Sequence, residues 1–322
     1  MKAVRSHAGA FLLFACSAMV QALTQTAVAQ ERFPSKNIEM IVPWGPGSGA
    51  DILGRLVAKW LENELKVPVP VLNAPGATGS IGINRMLASG SDGHAIAVLT
   101  TDSLALAAAP EPLVKFGDLA ALGVMIRQQS GIYARFDGPY KTWNDVVAFA
   151  KANPGKLSVA TTGPGSADDV TVAYLARRGV PMTAVGYAKF SERQTAVIGG
   201  HLDLLYEQAG DVKGQLDGKT LRPLLFFAEK RLPAPFADVP VSAELGYEIV
   251  LPQVRTLVAH KSTDPKRLAV ITASLGRFAQ TPEFVAYLRD QYALPDSYIA
   301  DRDAQKFLES ELVAMRRFYG AK

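Results

Sequence analysis

The sequence predicts an α/β protein built as two lobes joined by crossing strands, with a cleft between them. Three observations carry this. Short β-branched runs alternate with segments whose apolar residues recur at helical spacing, the mark of layered and largely parallel sheets. The alternation restarts near Gly131, yet no low-complexity linker separates the halves. The chain has 322 residues, 48% apolar and 20% charged, enough for two ordinary domains of globular composition.

Residues 1–29 read as a signal peptide. Lys2 and Arg5 make a positive start, Ala8 to Val20 is apolar but too short to span a bilayer, and Ala27-Val28-Ala29 is an A-x-A cleavage site. The mature chain then begins at Gln30 in the periplasm and carries about +2, down from +4. Cys16 is the one cysteine. Leu13-Phe14-Ala15-Cys16 is a poor lipobox because of Phe14, so Cys16 is read as a small apolar residue of the discarded leader. The mature protein is then free of disulfides and thiol chemistry. No Lys/Arg-rich run of the kind that tracks phosphates occurs, so nucleic acid is not expected as a partner.

In the first half, strands are expected at Ile38–Val42, Val69–Leu72 and Ala95–Leu99. The helix after the first has the apolar face Ile52, Leu53, Leu56, Val57, Trp60, Leu61 and Leu65. In the second half, Gly131–Arg135, Leu157–Thr161, Leu202–Tyr206 and Leu221–Ala228 read as strands. Helices cover Trp143–Ala152, Asp168–Arg178 and a segment through Thr195–Ile198. Ile249–Ala259 is extended, and the last third is helical, with starts at Asp264-Pro265, Thr281-Pro282 and Asp301. The lobes are expected to be joined at Gly131–Arg135 and again near Leu251–Leu257. That assigns residues 30–132 and 253–322 to lobe 1 and 133–252 to lobe 2.

Three loops share one design: a short strand before, glycines within, a helix after. They are Pro43 to Asp51, Asn73 to Gly79, and Thr162 to Ser166. Free amides at a helix start, together with the helix dipole, can hold an anion without a cationic side chain. Each loop alone could be a tight turn, and Asp51 could simply cap its helix. None is a nucleotide motif: Gly45 to Gly49 lacks the Gly-Lys-Ser/Thr ending, and Gly76, Gly79 and Gly82 lack the dinucleotide spacing. Catalytic sets are scarce. His94, His201 and His260 are scattered, no G-x-S-x-G or metal spacing occurs, and Asp168-Asp169 reads as a charged helix start. No enzyme activity, cofactor or metal is expected.

These loops, with flanking segments, resemble the tripartite tricarboxylate transporter receptors, the TctC-like or Bug-type solute-binding proteins. Phe33-Pro34-Ser35-Lys36 resembles their Y-P-S-K start, Pro43 to Asp51 their P-F-x-x-G-G-G-T-D loop, and Asn73 to Ala77 their E-N-R-P-G-A. Asp92-Gly93-His94, Gly163 to Ser166, Ile198 to Asp203 and Ala237 to Pro240 match further segments in order. The resemblance implies a type II periplasmic-binding-protein fold, a small carboxylate ligand in the cleft, a two-component membrane permease as partner, and a monomer. A ligand-presenting sensor of the same fold is the alternative. The implied contacts are Trp44, Gly45, Gly47, Ser48, Gly49 and Asp51 on the first loop, and Ala77 and Thr78 on the second. Thr101 follows the third strand, and Thr162, Gly163, Gly165 and Ser166 form the loop of the other half. Tyr187 and Glu207 complete that set, and Arg255 joins it as a candidate contact read from its strand rather than from the resemblance.

Several positions depart from the family pattern. Trp44 replaces Phe, Ser48 a glycine, Ala50 a hydroxyl residue and Thr78 a glycine; Glu207-Gln208 stands for Asp-Asn, and Val254-Arg255 for an aromatic pair. Arg255 could grip a carboxylate in place of the hydroxyl lost at Ala50, or alternation along its strand could turn it to solvent.

Overall fold

Each lobe is built from short strands that turn through a glycine-bearing loop into a helix. The structure, a computed structural model, describes residues 33–319. The leader, its cleavage site and Cys16 lie outside the described residues.

In lobe 1, β1 (Glu39–Val42) leads into α1 (Gly49–Leu65), which buries Leu53, Val57, Ala58 and Leu61 and exposes Ile52. β2 (Val71–Asn73) pairs in parallel with β1, and a short turn at Ala77–Gly79 opens into α2 (Ser80–Ala88). β3 (Ala95–Thr100) is buried at every position and so takes the unbroken apolar sequence of a strand covered on both faces. It runs directly into α3 (Thr101–Ala108), then β4 (Leu119–Gln128). Neither α3 nor β4 was legible as an element. The Leu-Ala-Ala-Leu-Gly opening of β4 has no β-branched residue, and its strand form is set by pairing along its length with the distant β10.

Lobe 2 follows with β5 (Ser130–Arg135), α4 (Trp143–Ala152), β6 (Leu157–Thr161), α5 (Ala167–Arg177), β7 (Met182–Gly186), α6 (Phe190–Ile198), β8 (Leu204–Gln208), α7 (Lys213–Asp217) and β9 (Leu221–Phe226). The chain then returns to lobe 1 as β10 (Gln253–His260), α8 (Pro265–Phe278), α9 (Pro282–Asp290), β11 (Ile299–Ala300) and α10 (Asp301–Tyr319). Asp264 and Thr281 cap α8 and α9, each with a proline in the first turn, as their sequence signals require.

The first sheet has the order β11-β4-β10-β3-β1-β2 and the second β7-β6-β8-β5-β9. In both, three parallel strands lie beside antiparallel ones: β3-β1-β2 with β10, and β7-β6-β8 with β5. Both sheets belong to one unit that begins at Lys36. Gln129 alone separates β4 of the first sheet from β5 of the second, so the first crossing falls at that residue. Gly131–Arg135 lies wholly inside the second sheet. The second crossing is the irregular stretch between Phe226 and Gln253.

One strand is displaced in a way that matters for the site. The run Leu202–Tyr206 forms β8 only from Leu204, and the strand extends through Glu207 and Gln208. Asp203 accepts from the Ser158 amide (2.9 Å) and hydroxyl (2.7 Å), which stitches the start of the strand to β6. β5 then pairs with it as far as Gln208. Two polar residues are thereby carried into the buried end of the sheet.

The first-loop backbone is packed against α2 without spare room. A Cβ added at Gly82 would lie 2.7 Å from Pro43 Cα and Cβ and 3.0 Å from the Ala74 carbonyl oxygen. Two of those atoms are main-chain. Gly82→Ala should therefore lower stability by about 1–2 kcal/mol through overpacking, despite alanine's better helix propensity; urea unfolding checks this.

Candidate functional site: the cleft between the lobes

In both sheets the carboxyl ends of the parallel strands open onto one crevice, the place where ligands bind in open α/β sheets. The cleft encloses about 520 Å³, its open mouth included. From lobe 1 its wall is Trp44 and Gly45 beyond β1, Ser48 to Ala50 at the start of α1, Thr100 and Asp102 where β3 meets α3, and Gln253 and Arg255 on β10. From lobe 2 it is Thr162 and Asp168, Ala188, Phe190 and Arg193, the β8 residues Tyr206 to Gln208, and Asp211.

The wall is held by polar contacts that follow from local structure. Ser48 caps α1, its hydroxyl accepting from the Asp51 amide at 3.3 Å. The Trp44 indole donates to Thr100 Oγ1 (3.3 Å), tying the first loop to the end of β3. Arg255 stands opposite Thr100 in the β3–β10 register, and this places it at the level of the cleft. Its side chain is 2% exposed, and its guanidinium pairs with Asp211, whose side chain is 4% exposed and belongs to the other lobe. Alternation does not carry Arg255 to solvent. A second buried pair, Arg193–Glu207 at 2.7 Å, lies within lobe 2. Asp102 reaches across from α3 to accept from the Ala167 amide at the start of α5 (3.3 Å), and it also accepts from Gln253 Nε2 (3.2 Å).

Residues 53–318 match the family model for the tripartite tricarboxylate transporter family receptor. The chain belongs to that family. It is 32% identical to a UPF0065 protein in the gbd 5' region of Cupriavidus necator, over 73% of this chain and 72% of that one. Two solved structures from Rhodopseudomonas palustris share its fold at 21% identity. MatC with bound malate superposes with a TM-score of 0.79, covering 89% of this chain and 100% of that one. Rpa4515 with adipate superposes at 0.81, covering 89% and 97%.

In this receptor the sequence-derived contacts divide. Trp44, Gly45, Ser48, Gly49, Thr162, Glu207 and Arg255 line the cleft together. Gly47, Asp51, Ala77, Thr78, Thr101, Gly163, Gly165, Ser166 and Tyr187 are placed behind or beside its wall. The Gly47 amide donates to Asp51 (2.9 Å), which also accepts from Asn73 Nδ2 (2.9 Å) and pairs with Arg55 (3.0 Å). Asp51 thus knots two loops together and is not itself part of the lining. Thr101 binds the chain at Pro252 and Val254 through its hydroxyl, 2.8 Å in each case. Ala77 and Thr78 form a positive-φ turn, and the Thr78 hydroxyl donates to the Pro164 carbonyl (3.2 Å) across the lobes. Gly163 accepts from the Ser166 hydroxyl (2.6 Å), and Gly165 accepts from Tyr319 (2.8 Å). Tyr187 gives its carbonyl to Arg193 (3.4 Å), while Ala188 and Phe190 reach the cleft in its place.

The loop amides do not face one another across the cleft as free donors, because the protein's own carboxylates occupy most of them. Asp168 accepts from the Thr162 amide (2.6 Å) and hydroxyl (2.7 Å), Asp169 from Gly165 (2.9 Å), and Asp102 from Ala167. Among the described residues nothing accepts from the amides of Gly49 and Ala50, which open α1 on the cleft wall. Unpaired amides at a helix start are the kind of donor an anion can use.

Four of the eleven cleft residues that sequence reasoning missed are charged: Asp102, Asp168, Arg193 and Asp211. Asp168 reads as a helix-start acid, and it is one, but its carboxylate also forms wall. Arg193 lies on a short amphipathic helix and carries no local signal. Its burial follows from the counter-charge that Glu207 brings through the shift of β8.

Burial raises two of these acids. Glu207 is pushed up to about 7 by desolvation, against the pull of Arg193. Asp102 is pushed up to about 6 by desolvation and by the neighbouring Asp168. A carboxyl whose folded pKa exceeds its unfolded value holds its proton longer in the folded state. Its contribution to stability is fully present below about pH 4 and is lost as pH rises through 6 to 7. Glu207→Gln should flatten the fall in melting temperature between about pH 4.5 and 7, measured by calorimetry across that range.

The cross-lobe pair makes a second prediction. Asp211→Ala leaves Arg255 buried without its partner and should cost about 3–5 kcal/mol. Replacing both by apolar residues of similar volume should recover most of that loss. Urea denaturation of the single and double variants checks both outcomes.

Proposed function

We propose that this chain is an exported receptor that captures a small organic carboxylate between its lobes and delivers it to the membrane component of a tripartite tricarboxylate-type transporter. The observation that carries the reading is the pair of amides at Gly49 and Ala50, which open without acceptors onto a cleft walled by both lobes. Family relationship supports the transport role, and the malate and adipate seen in two structures of the same fold support the ligand class. Export is supported by the charged, apolar and A-x-A segments of residues 1–29. Among the described residues no helix is long and apolar enough to cross a membrane, and no cluster of His, Cys, Asp and Glu could hold a metal. The receptor acts as a single copy whose lobes close on the ligand.

A ligand that binds only the folded protein stabilises it by about 2.7 kcal/mol at a hundredfold excess over its dissociation constant. The mature chain, screened against small mono-, di- and amino-carboxylates, should show such a melting shift, and small-angle scattering should show compaction with the same compounds. A panel that shifts neither quantity refutes the reading. Mass analysis of protein secreted from a Gram-negative host should find Gln30 as the first residue.

A further inference from the structure

The charges on the cleft wall do not balance. Four carboxylates line it, Asp102, Asp168, Glu207 and Asp211, against two guanidiniums, Arg193 and Arg255. All six side chains are more than nine-tenths buried. Each arginine already has a carboxylate partner, Glu207 for Arg193 and Asp211 for Arg255. Asp102 and Asp168 have only neutral donors: a backbone amide and Gln253 for the first, and the amide and hydroxyl of Thr162 with the Asp169 amide for the second. Two acids therefore stand in a low-dielectric wall with no ion pair of their own, near Arg193 but not bonded to it, an arrangement in which ionisation costs free energy unless a further cation joins them.

A second observation concerns hydrogen-bonding capacity. Arg255 Nη1, Arg193 Nε and Asp211 Oδ1 are buried without a partner. The buried ion pairs thus keep hydrogen-bonding capacity that their own partners leave unused, and the open amides of Gly49 and Ala50 add donors at one end of the wall. Trp44 and Phe190 supply aromatic surface to the same space, and a ring face favours a cation.

We propose that the cleft selects a small carboxylate that also carries a cationic nitrogen, a zwitterion, over a plain dicarboxylate. Its carboxylate sits on the Gly49 and Ala50 amides, and its ammonium on the acidic wall formed by Asp102, Asp168 and Glu207. A zwitterion leaves the buried charge unchanged and gives the surplus acids a counter-charge. A dicarboxylate doubles the surplus. The inference rests on the receptor reading and narrows its ligand.

Proton linkage separates the two ligand types. Around Glu207 stand Arg193, Asp211, Asp168, Arg255 and Tyr133. Around Asp102 stand Asp168, Arg193, Gln253, Tyr206 and Tyr319. Both acids hold part of their protons between pH 6 and 7 in the free protein, their values lying near 7 and 6. A cation brought beside them drives those protons off, and an anion draws more on.

The test is calorimetry of the mature protein at pH 6.5 in buffers of different ionisation enthalpy. The probes are matched pairs in which an ammonium stands for one carboxylate: β-alanine with succinate, and δ-aminovalerate with adipate. The amino member of the better-fitting pair should bind at least about tenfold tighter, equivalent to about 1.4 kcal/mol, and release protons. Glu207→Gln should reduce that release, while in Asp168→Asn the preference for the amino member should shrink. A dicarboxylate that binds as tightly as its amino partner, or an amino member that takes protons up, overturns this inference and leaves the receptor reading standing. Absence of binding by every member, and by the wider carboxylate panel, overturns both.

Discussion

Arg255 and Asp211 come from different lobes, and both are removed from water where the lobes meet. Neither charge is tolerable there without the other, so the pair sets how the lobes sit at the floor of the cleft. The surrounding packing is fitted to it. A Cβ on Gly49 would lie 2.2 Å from Arg255 Nη2 and 2.3 Å from Asp211 Oδ1, so a side chain there would have to displace the pair. The same approach keeps the open amides of that helix on the wall. One electrostatic constraint thus accounts for a glycine and a helix position together.

Around that pair the cleft supplies its own anions. Asp102 crosses from lobe 1 to the start of α5 in lobe 2, and Asp168 and Asp169 take the amides of the loop before it. Glycine-rich loops at helix starts are ready-made anion sites, and here the one in lobe 2 is filled internally. The result is a pocket whose fixed charge is negative although its fold and loops suit an anionic ligand. One departure from the family pattern, arginine at 255 where an aromatic is usual, introduces buried charge and has its partner in Asp211; glutamate at 207 stands for aspartate, keeps the charge and pairs with Arg193.

The contacts between lobes differ in kind around the rim. On the side of α10, Tyr319 donates to the Gly165 carbonyl, and Thr78 reaches the Pro164 carbonyl from the second loop. These are single neutral bonds at partly open positions, each worth about 1 kcal/mol. The floor is ionic and buried. Lobes joined through Gln129 on one side and an irregular return on the other can part at the rim more readily than at the floor.

Most of the architecture was legible in the chain. Alternation, proline-bearing helix starts and glycine-bearing loops are local signals, and the Trp143–Ala152 helix and Leu157–Thr161 strand form as read because their caps and periodicity lie within them. The first loop was legible as cleft wall for the same reason. β4 and α3 were not, since an Ala- and Leu-rich strand is made by its partner strands rather than by its own propensity. The charge of the site was decided only in three dimensions. Asp102, Asp168, Arg193 and Asp211 look like ordinary surface residues in the chain, and their meaning comes from being buried together by segments far apart in sequence. Desolvation depends on what surrounds a group, and no local pattern encodes that.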